Sequence, residues 1–159
     1  MLRISKMTDY ATVVMPHLAR DPERRISARE LADELGIGEP TVSKLLKQLE
    51  RCGLLDAQRG KHGGYRLARP PASISVAEVI RAIEGPIALT ECASEAQACD
   101  QEPLCSLQDN WQRINRAVLQ ALAQVSLTEM ISPLSEAGVQ TKMLEFYRSP
   151  RDGAALETE

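Results

Sequence analysis

Apolar positions recur at helical spacing through the first third of the chain and are broken by short polar turns. Met7, Tyr10, Val14 and Leu18 share one face of a helix predicted from about Lys6 to Leu18, with Pro16 expected to kink it or end it early. Asp21-Pro22-Glu23 reads as a turn. A second helix has a defined start, because Ser27 and Glu30 form an S-x-x-E capping box in which each side chain satisfies a free backbone N–H. Leu31 and Leu35 supply its apolar face, and Gly36 ends it in the left-handed conformation that glycine tolerates. After Ile37-Gly38-Glu39, Pro40 suits the first position of a third helix. Val42, Leu45, Leu46 and Leu49 follow as one inward stripe, Thr41, Ser43, Lys44, Lys47, Gln48 and Arg51 take the other faces, and Gly53 closes the helix. Two helices joined by so short a glycine-containing turn make a helix-turn-helix.

The period then changes. Leu54 to Arg59 and Tyr65 to Ala68 are short extended segments around the tip Gly60-Lys61-His62-Gly63-Gly64, a β-hairpin placed where a winged helix has its wing. Pro70-Pro71 stops the second strand. Ser75 and Glu78 repeat the capping box before a helix with Val76, Val79, Ile80 and Ile83, which Gly85-Pro86 ends. From Ile87 to Gln108 no period is visible. A long helix from about Asp109 to Val125 then carries Trp111, Ile114, Val118, Leu119 and Leu122, and a short one starts at Ser126 and meets Pro133. From about Ser135 the chain is polar and patternless, and disorder is expected.

The fold class is therefore mainly α: a winged helix-turn-helix with a long C-terminal helix. Residues 1–84 form the winged-helix domain, 85–108 a cysteine-bearing loop, 109–133 a helical region and 134–159 a tail. A length of 159 residues suits one domain, or one small domain with an appended helix and tail, and at 3% aromatic content aliphatic side chains must build its core. No run of eighteen apolar residues could span a membrane, and the opening MLRISKMTDYA lacks the apolar stretch of an export signal, so a cytoplasmic protein is the expectation. The net charge of −3 conceals an asymmetry: residues 1–69 hold 13 Lys/Arg against 9 Asp/Glu (+4), and residues 70–159 hold 6 against 13 (−7). The first half suits phosphates and the second does not.

A recognition helix needs an apolar face for its own core and short polar or basic side chains toward the groove, and the third helix has both. Its N-terminal residues would reach base edges, which points to Glu39, Thr41, Ser43 and Lys44, whereas Lys47 and Arg51 lie further along and suit phosphates. The wing adds Arg59, Lys61, His62 and Arg66. A lone basic helix is more often a solvated surface. The short turn, the proline start, the basic face and the glycine-rich hairpin together favour double-stranded DNA over a protein-only partner. No nucleophile–base pair, phosphate loop or paired-carboxylate site is present, and His17 and His62 lie in unrelated contexts, so an enzyme is not expected.

Three of the four cysteines fall within fourteen residues, as Cys92-x6-Cys99-x5-Cys105. Thiolates are soft ligands suited to iron–sulfur clusters, Zn²⁺ and Cu(I). Zinc sites usually use C-x2–4-C pairs, and these longer gaps let the chain wrap a larger object than one ion. Three thiolates leave one ligand position to another side chain, to a partner subunit or to a small molecule. Structural zinc and three reduced thiols are the alternatives. Cys52, at the end of the recognition helix, is read as a small buried or capping residue.

Four stretches carry a family resemblance: Ser5-Lys6-Met7-Thr8-Asp9-Tyr10-Ala11, the wing from Arg59 to Leu67, Ile74 to Ile80, and the three-cysteine loop. With the helices between them they span about residues 1–133, and the chain resembles the iron–sulfur-sensing winged-helix regulators. That family includes the repressors of the Isc and Suf cluster-assembly systems and the nitric-oxide-sensing repressors, and the Suf-system branch is nearest in pattern. The resemblance implies a homodimer built on the long helix near 109–125, a cluster loop packed near the partner's DNA-binding domain, and control of cluster-assembly genes, by repression or activation. It makes Cys92, Cys99 and Cys105 cluster ligands. Isc-type members place a histidine three residues after the third cysteine, where this chain has Gln108. The nitric-oxide sensors use an aspartate near the N-terminus from the other subunit, which Asp9 matches. Asp9 is therefore the first choice as fourth ligand, ahead of Gln108, with Glu91 or Glu95 behind. The first cysteine gap is one residue longer than usual, and a [2Fe–2S] cluster is expected ahead of [4Fe–4S].

Overall fold

The computed structural model describes residues 4–60, 63–90 and 107–132. Lys61, His62, Glu91, Cys92, Glu95, Cys99, Cys105 and the tail 134–159 lie outside the described residues. Helix α1 (Lys6–Ala19) starts at Ser5, whose hydroxyl accepts from the Thr8 N–H. It runs through Pro16 to its end at Ala19 rather than stopping at the proline. Pro16 removes one backbone donor near the last turn, and burial of Met15, Leu18 and Ala19 on either side holds that turn in place.

Helix α2 (Ala28–Leu35) has both halves of its capping box, Ser27 Oγ accepting from Glu30 N–H and Glu30 accepting from Ser27 N–H. Gly36 follows at φ +65°, the left-handed turn the sequence called for. Helix α3 (Glu39–Arg51) begins one residue before Pro40 and is followed by Cys52 as its C-cap. Strands β1 (Leu55–Gln58) and β2 (Gly64–Leu67) pair antiparallel with Leu55 opposite Leu67. Tyr65 also exchanges both backbone hydrogen bonds with Ile26, at 3.0 and 2.8 Å, so the segment before α2 adds a one-residue third strand to the wing. Gly64 lies where these backbones meet: at φ +141°, a Cβ on it would stand 2.7 Å from the Ile26 carbonyl oxygen.

A 3-10 turn (Pro71–Ser73) leads to α4 (Val76–Glu84), with its own capping box from Ser75 and Glu78. Helix α5 (Gln108–Gln124) is followed by α6 (Leu127–Ile131), which starts with a third capping box, Ser126 with Glu129. The chain returns to the domain here. Val76 N–H donates to Val125 O at 2.8 Å and Leu127 N–H to Ile74 O at 2.9 Å, and α6 packs on α1. One aliphatic core results, joining Ala11, Val14, Met15, Ile26, Leu31, the α3 stripe, Ile74, Val79 and Leu127. Among the described residues no helix is long and apolar enough to cross a membrane.

Leu127 is 1% exposed although it lies 53 positions beyond Ile74 in the chain, to which it is hydrogen-bonded. Leu127→Ala is expected to destabilise the whole winged-helix unit by about 2–5 kcal/mol. Chemical denaturation followed by circular dichroism checks this, and a loss confined to the C-terminal helices would contradict it.

Candidate nucleic-acid interface

Burial fixes the orientation of α3. Val42, Leu45, Leu46 and Leu49 are all fully buried. Lys44, Lys47 and Arg51, at i, i+3 and i+7, therefore stand on the opposite face, and all three are exposed. Glu39 is exposed in the first turn, and Thr41 and Ser43 are half-buried on the two flanks. Arg59 is exposed at the end of β1. Among the described residues no carboxylate lies within ion-pairing distance of Lys44, Lys47, Arg51 or Arg59.

Arg66 differs from these four. Its guanidinium pairs with Glu23 at 3.1 Å and lies 3.9 Å from Asp56, and its buried Nε has no partner. The side chain ties the base of the wing to the turn after α1. Two cations that pattern reading passed over join the surface. Arg25 donates to the Gly64 carbonyl at 3.4 Å, and Arg29 is exposed in the first turn of α2. The available signal was their charge beside the helix-turn-helix, but neither falls on the third helix or the wing.

The other face of α3 meets the end of α4. Gln48 Nε2 donates to the carbonyls of Ala82 and Ile83, each at 3.1 Å. Cys52 is exposed, not buried, and caps α3, with Sγ 3.7 Å from the Ala82 oxygen. Glu84, at the end of α4, reaches the start of α1: it accepts from Ser5 N–H at 3.2 Å and from the buried Thr8 hydroxyl. Asp9 sits one residue further, exposed, in a groove lined by Ile4, Ser5, Lys6 and Thr12. On α5, Trp111 and Ile114 are 38% and 46% exposed, so the predicted apolar stripe is uncovered along its first turns.

Residues 4–133 match the family model described as Rrf2: Iron-dependent Transcriptional regulator. The chain belongs to the Rrf2 family. Solved structures agree with the fold. CymR (YrzC), the global cysteine regulator of B. subtilis, matches with a TM-score of 0.66 at 28% identity, over 85% of this chain and 100% of its own. IscR of T. potens matches at 0.64 and 27%, over 86% and 90%. The oxidized form of Staphylococcus aureus CymR matches at 0.61 and 27%, over 84% and 99%. Rrf2 membership makes this chain a DNA-binding transcription regulator with a winged helix, not an enzyme.

Two expectations follow for the Rrf2 chain. Lys47→Ala and Arg51→Ala should each weaken binding to duplex DNA and lower the slope of log affinity against log salt by about one. A filter-binding titration over several salt concentrations checks both, and an unchanged slope removes that residue from the phosphate contacts. The second concerns Glu84. Hydrogen bonds from Ser5 and Thr8 hold its carboxyl below the ordinary 4.5. A depressed carboxyl stabilises the fold above its unfolded value, and that contribution is lost as pH falls through the lower folded value. Glu84→Gln should therefore lower the urea midpoint at pH 7 and converge with the parent as pH is taken below 4.5.

Proposed function

We propose that this regulator reads the state of an iron–sulfur cluster held by Cys92, Cys99 and Cys105 and controls genes of cluster assembly, of the Suf type. The observation that carries the reading is the three-thiolate spacing in a chain whose family is described as iron-dependent. Likeness to T. potens IscR over 86% of the chain supports it. The donor set fits the group: three soft thiolates suit iron and sulfide. A labile cluster of this kind supplies a redox-sensitive centre, [2Fe–2S] in preference to [4Fe–4S].

The chain's own residues have separable tasks. Lys44, Lys47, Arg51 and Arg59 meet DNA, with Lys61 and His62 at the wing tip, while Glu39, Thr41 and Ser43 face base edges. Arg66 contributes less to the phosphates, because Glu23 already neutralises it. Asp9 is the fourth ligand, supplied across a homodimer. Its carboxylate is exposed and has no ion-pair partner among the described residues. Gln108 ranks below it because an amide oxygen is a weak ligand beside thiolates. The dimer buries the uncovered stripe of α5 around Trp111 and Ile114.

The likeness to CymR, named as a cysteine regulator and solved in an oxidized form, favours a second reading, in which the same cysteines sense zinc, nitric oxide or oxidants directly. One preparation separates the two. Protein purified without oxygen should contain iron and acid-labile sulfide and absorb in the visible. Cys92→Ala, Cys99→Ala and Cys105→Ala should each abolish that colour while leaving a folded dimer. Colourless protein with stoichiometric zinc, or with four titratable thiols, would transfer the function to the second reading.

A further inference from the structure

Side chains from three different helices fasten the end of α4 and the residues behind it. From α3, Gln48 donates to the carbonyls of Ala82 and Ile83, and Cys52 approaches the first of these. From α1, Ser5 and Thr8 hold Glu84. Beyond Gly85-Pro86, α5 takes over. Asn115 accepts from Leu89 N–H at 3.1 Å and donates to the Ile87 carbonyl at 3.3 Å. Asn115 is 7% exposed, and it and Thr8 are the buried polar residues among those described.

These bonds have a physical logic. The last carbonyls of a helix lack partners within it, so the Gln48 amide completes the end of α4. An amide buried without partners is costly, so Asn115 holds its two backbone groups in one place. Leu89 precedes Cys92 by three residues, and Gln108, the start of α5, follows Cys105 by three. The cysteine segment thus leaves from a backbone pinned on α5 and returns to α5. Gln48 lies between Lys47 and Arg51 on the recognition helix.

We propose that residues 82–89 are a strut linking the cysteine segment to the recognition helix, with Asn115 and Gln48 as the positioning residues at its two ends. A shift of the backbone at Leu89 is carried to Ala82 and Ile83, and from there through two amide hydrogen bonds to α3. The inference rests on the reading above in taking the cysteine segment as the sensing element. It does not require that the group bound there contain iron.

Linkage makes the coupling reciprocal: if the cysteine segment acts on DNA affinity, bound DNA acts on the cysteine segment. The test uses the reduced, metal-free full chain. Alkylation of Cys92, Cys99 and Cys105 by iodoacetamide is timed by mass spectrometry, with and without a saturating duplex selected from a random pool on the parent protein. With iodoacetamide dilute enough that alkylation is slow against the segment's own motion, the rates report its equilibrium exposure, and DNA should change them by about fivefold or more. Gln48→Met and Asn115→Ala, saturated with the same duplex and shown to be folded by their thermal melts, should lose that change. Lys47→Ala should keep it once saturated. Retention of the change in either strut variant overturns the proposal, and so does a parent that shows none. Should one variant fail to fold, the other decides. Iron and sulfide counts do not enter, so a chain without a cluster can pass this test and a chain with one can fail it.

Discussion

Helix α3 has only one face that can be buried, and the layout of the DNA-reading surface follows from that constraint. Four aliphatic side chains on that face are fully buried. Burying each contributes roughly 1.5–3 kcal/mol, while rotating the helix by one residue would push a lysine toward the core in exchange for a leucine. No competing orientation is close in energy, so Lys44, Lys47 and Arg51 are outward by exclusion. With 3% aromatic residues the core has few large flat side chains, and leucine, isoleucine, valine and methionine supply its shape. Leu127 and Ile74 close it from the far end of the chain, so α6 belongs to the same packed body as the helix-turn-helix.

What was legible in the sequence was whatever is written locally. The Ser27–Glu30 and Ser75–Glu78 boxes, the Gly36 turn and the α3 stripe each occupy a few neighbouring positions, and the structure has all of them. Pairings between distant residues were not legible. The bridge between Ile26 and Tyr65 involves a single residue on each side, too short for any period. Gln48 sits on a polar face and looked solvent-exposed, yet its partners are 34 and 35 residues away. Asn115 stands beside Ile114 in the apolar stripe, and no local pattern marks it as the buried residue of α5 that it is in the folded chain. Cys52 was expected either to be buried or to cap, and it caps while remaining exposed. The segment that carries the three cysteines lies outside the described residues, so its chemistry still rests on residue type and spacing.

The charge asymmetry of the sequence acquires a finer grain in three dimensions. Arg24 and His17 converge on Glu34 at 2.7 and 2.8 Å, and Arg66 pairs with Glu23. These contacts hold α1, α2 and the wing base together. Such solvent-screened pairs contribute little to stability, but they offset the charge of their members. The cations left unpaired among the described residues include Lys44, Lys47, Arg51 and Arg59. Local pairing therefore sorts cations of the basic half into joints and an unpaired set available to phosphates. Arg66, expected from its place in the wing to meet DNA, is also a joint, through its pair with Glu23.

The energy needed to couple the cysteine segment to that surface is small compared with the bonds that connect them. A tenfold change in affinity is about 1.4 kcal/mol. One hydrogen bond contributes roughly 0.5–1.5 kcal/mol, and a buried polar group left unpaired costs about 1–3 kcal/mol. Gln48 makes two such bonds and Asn115 two more. On the strut proposal, straining or releasing either pair would be enough to move DNA affinity by about one to two orders of magnitude, with no rearrangement of the core. The core is a poor carrier for the same signal, because close-packed aliphatic side chains have no second arrangement of similar energy. A helix end fastened by amides does have one, since its carbonyls can exchange a side-chain donor for water. The route for regulation is then set by where the fold uses directional bonds instead of packing, and in this chain those bonds lie between the cysteines and the recognition helix.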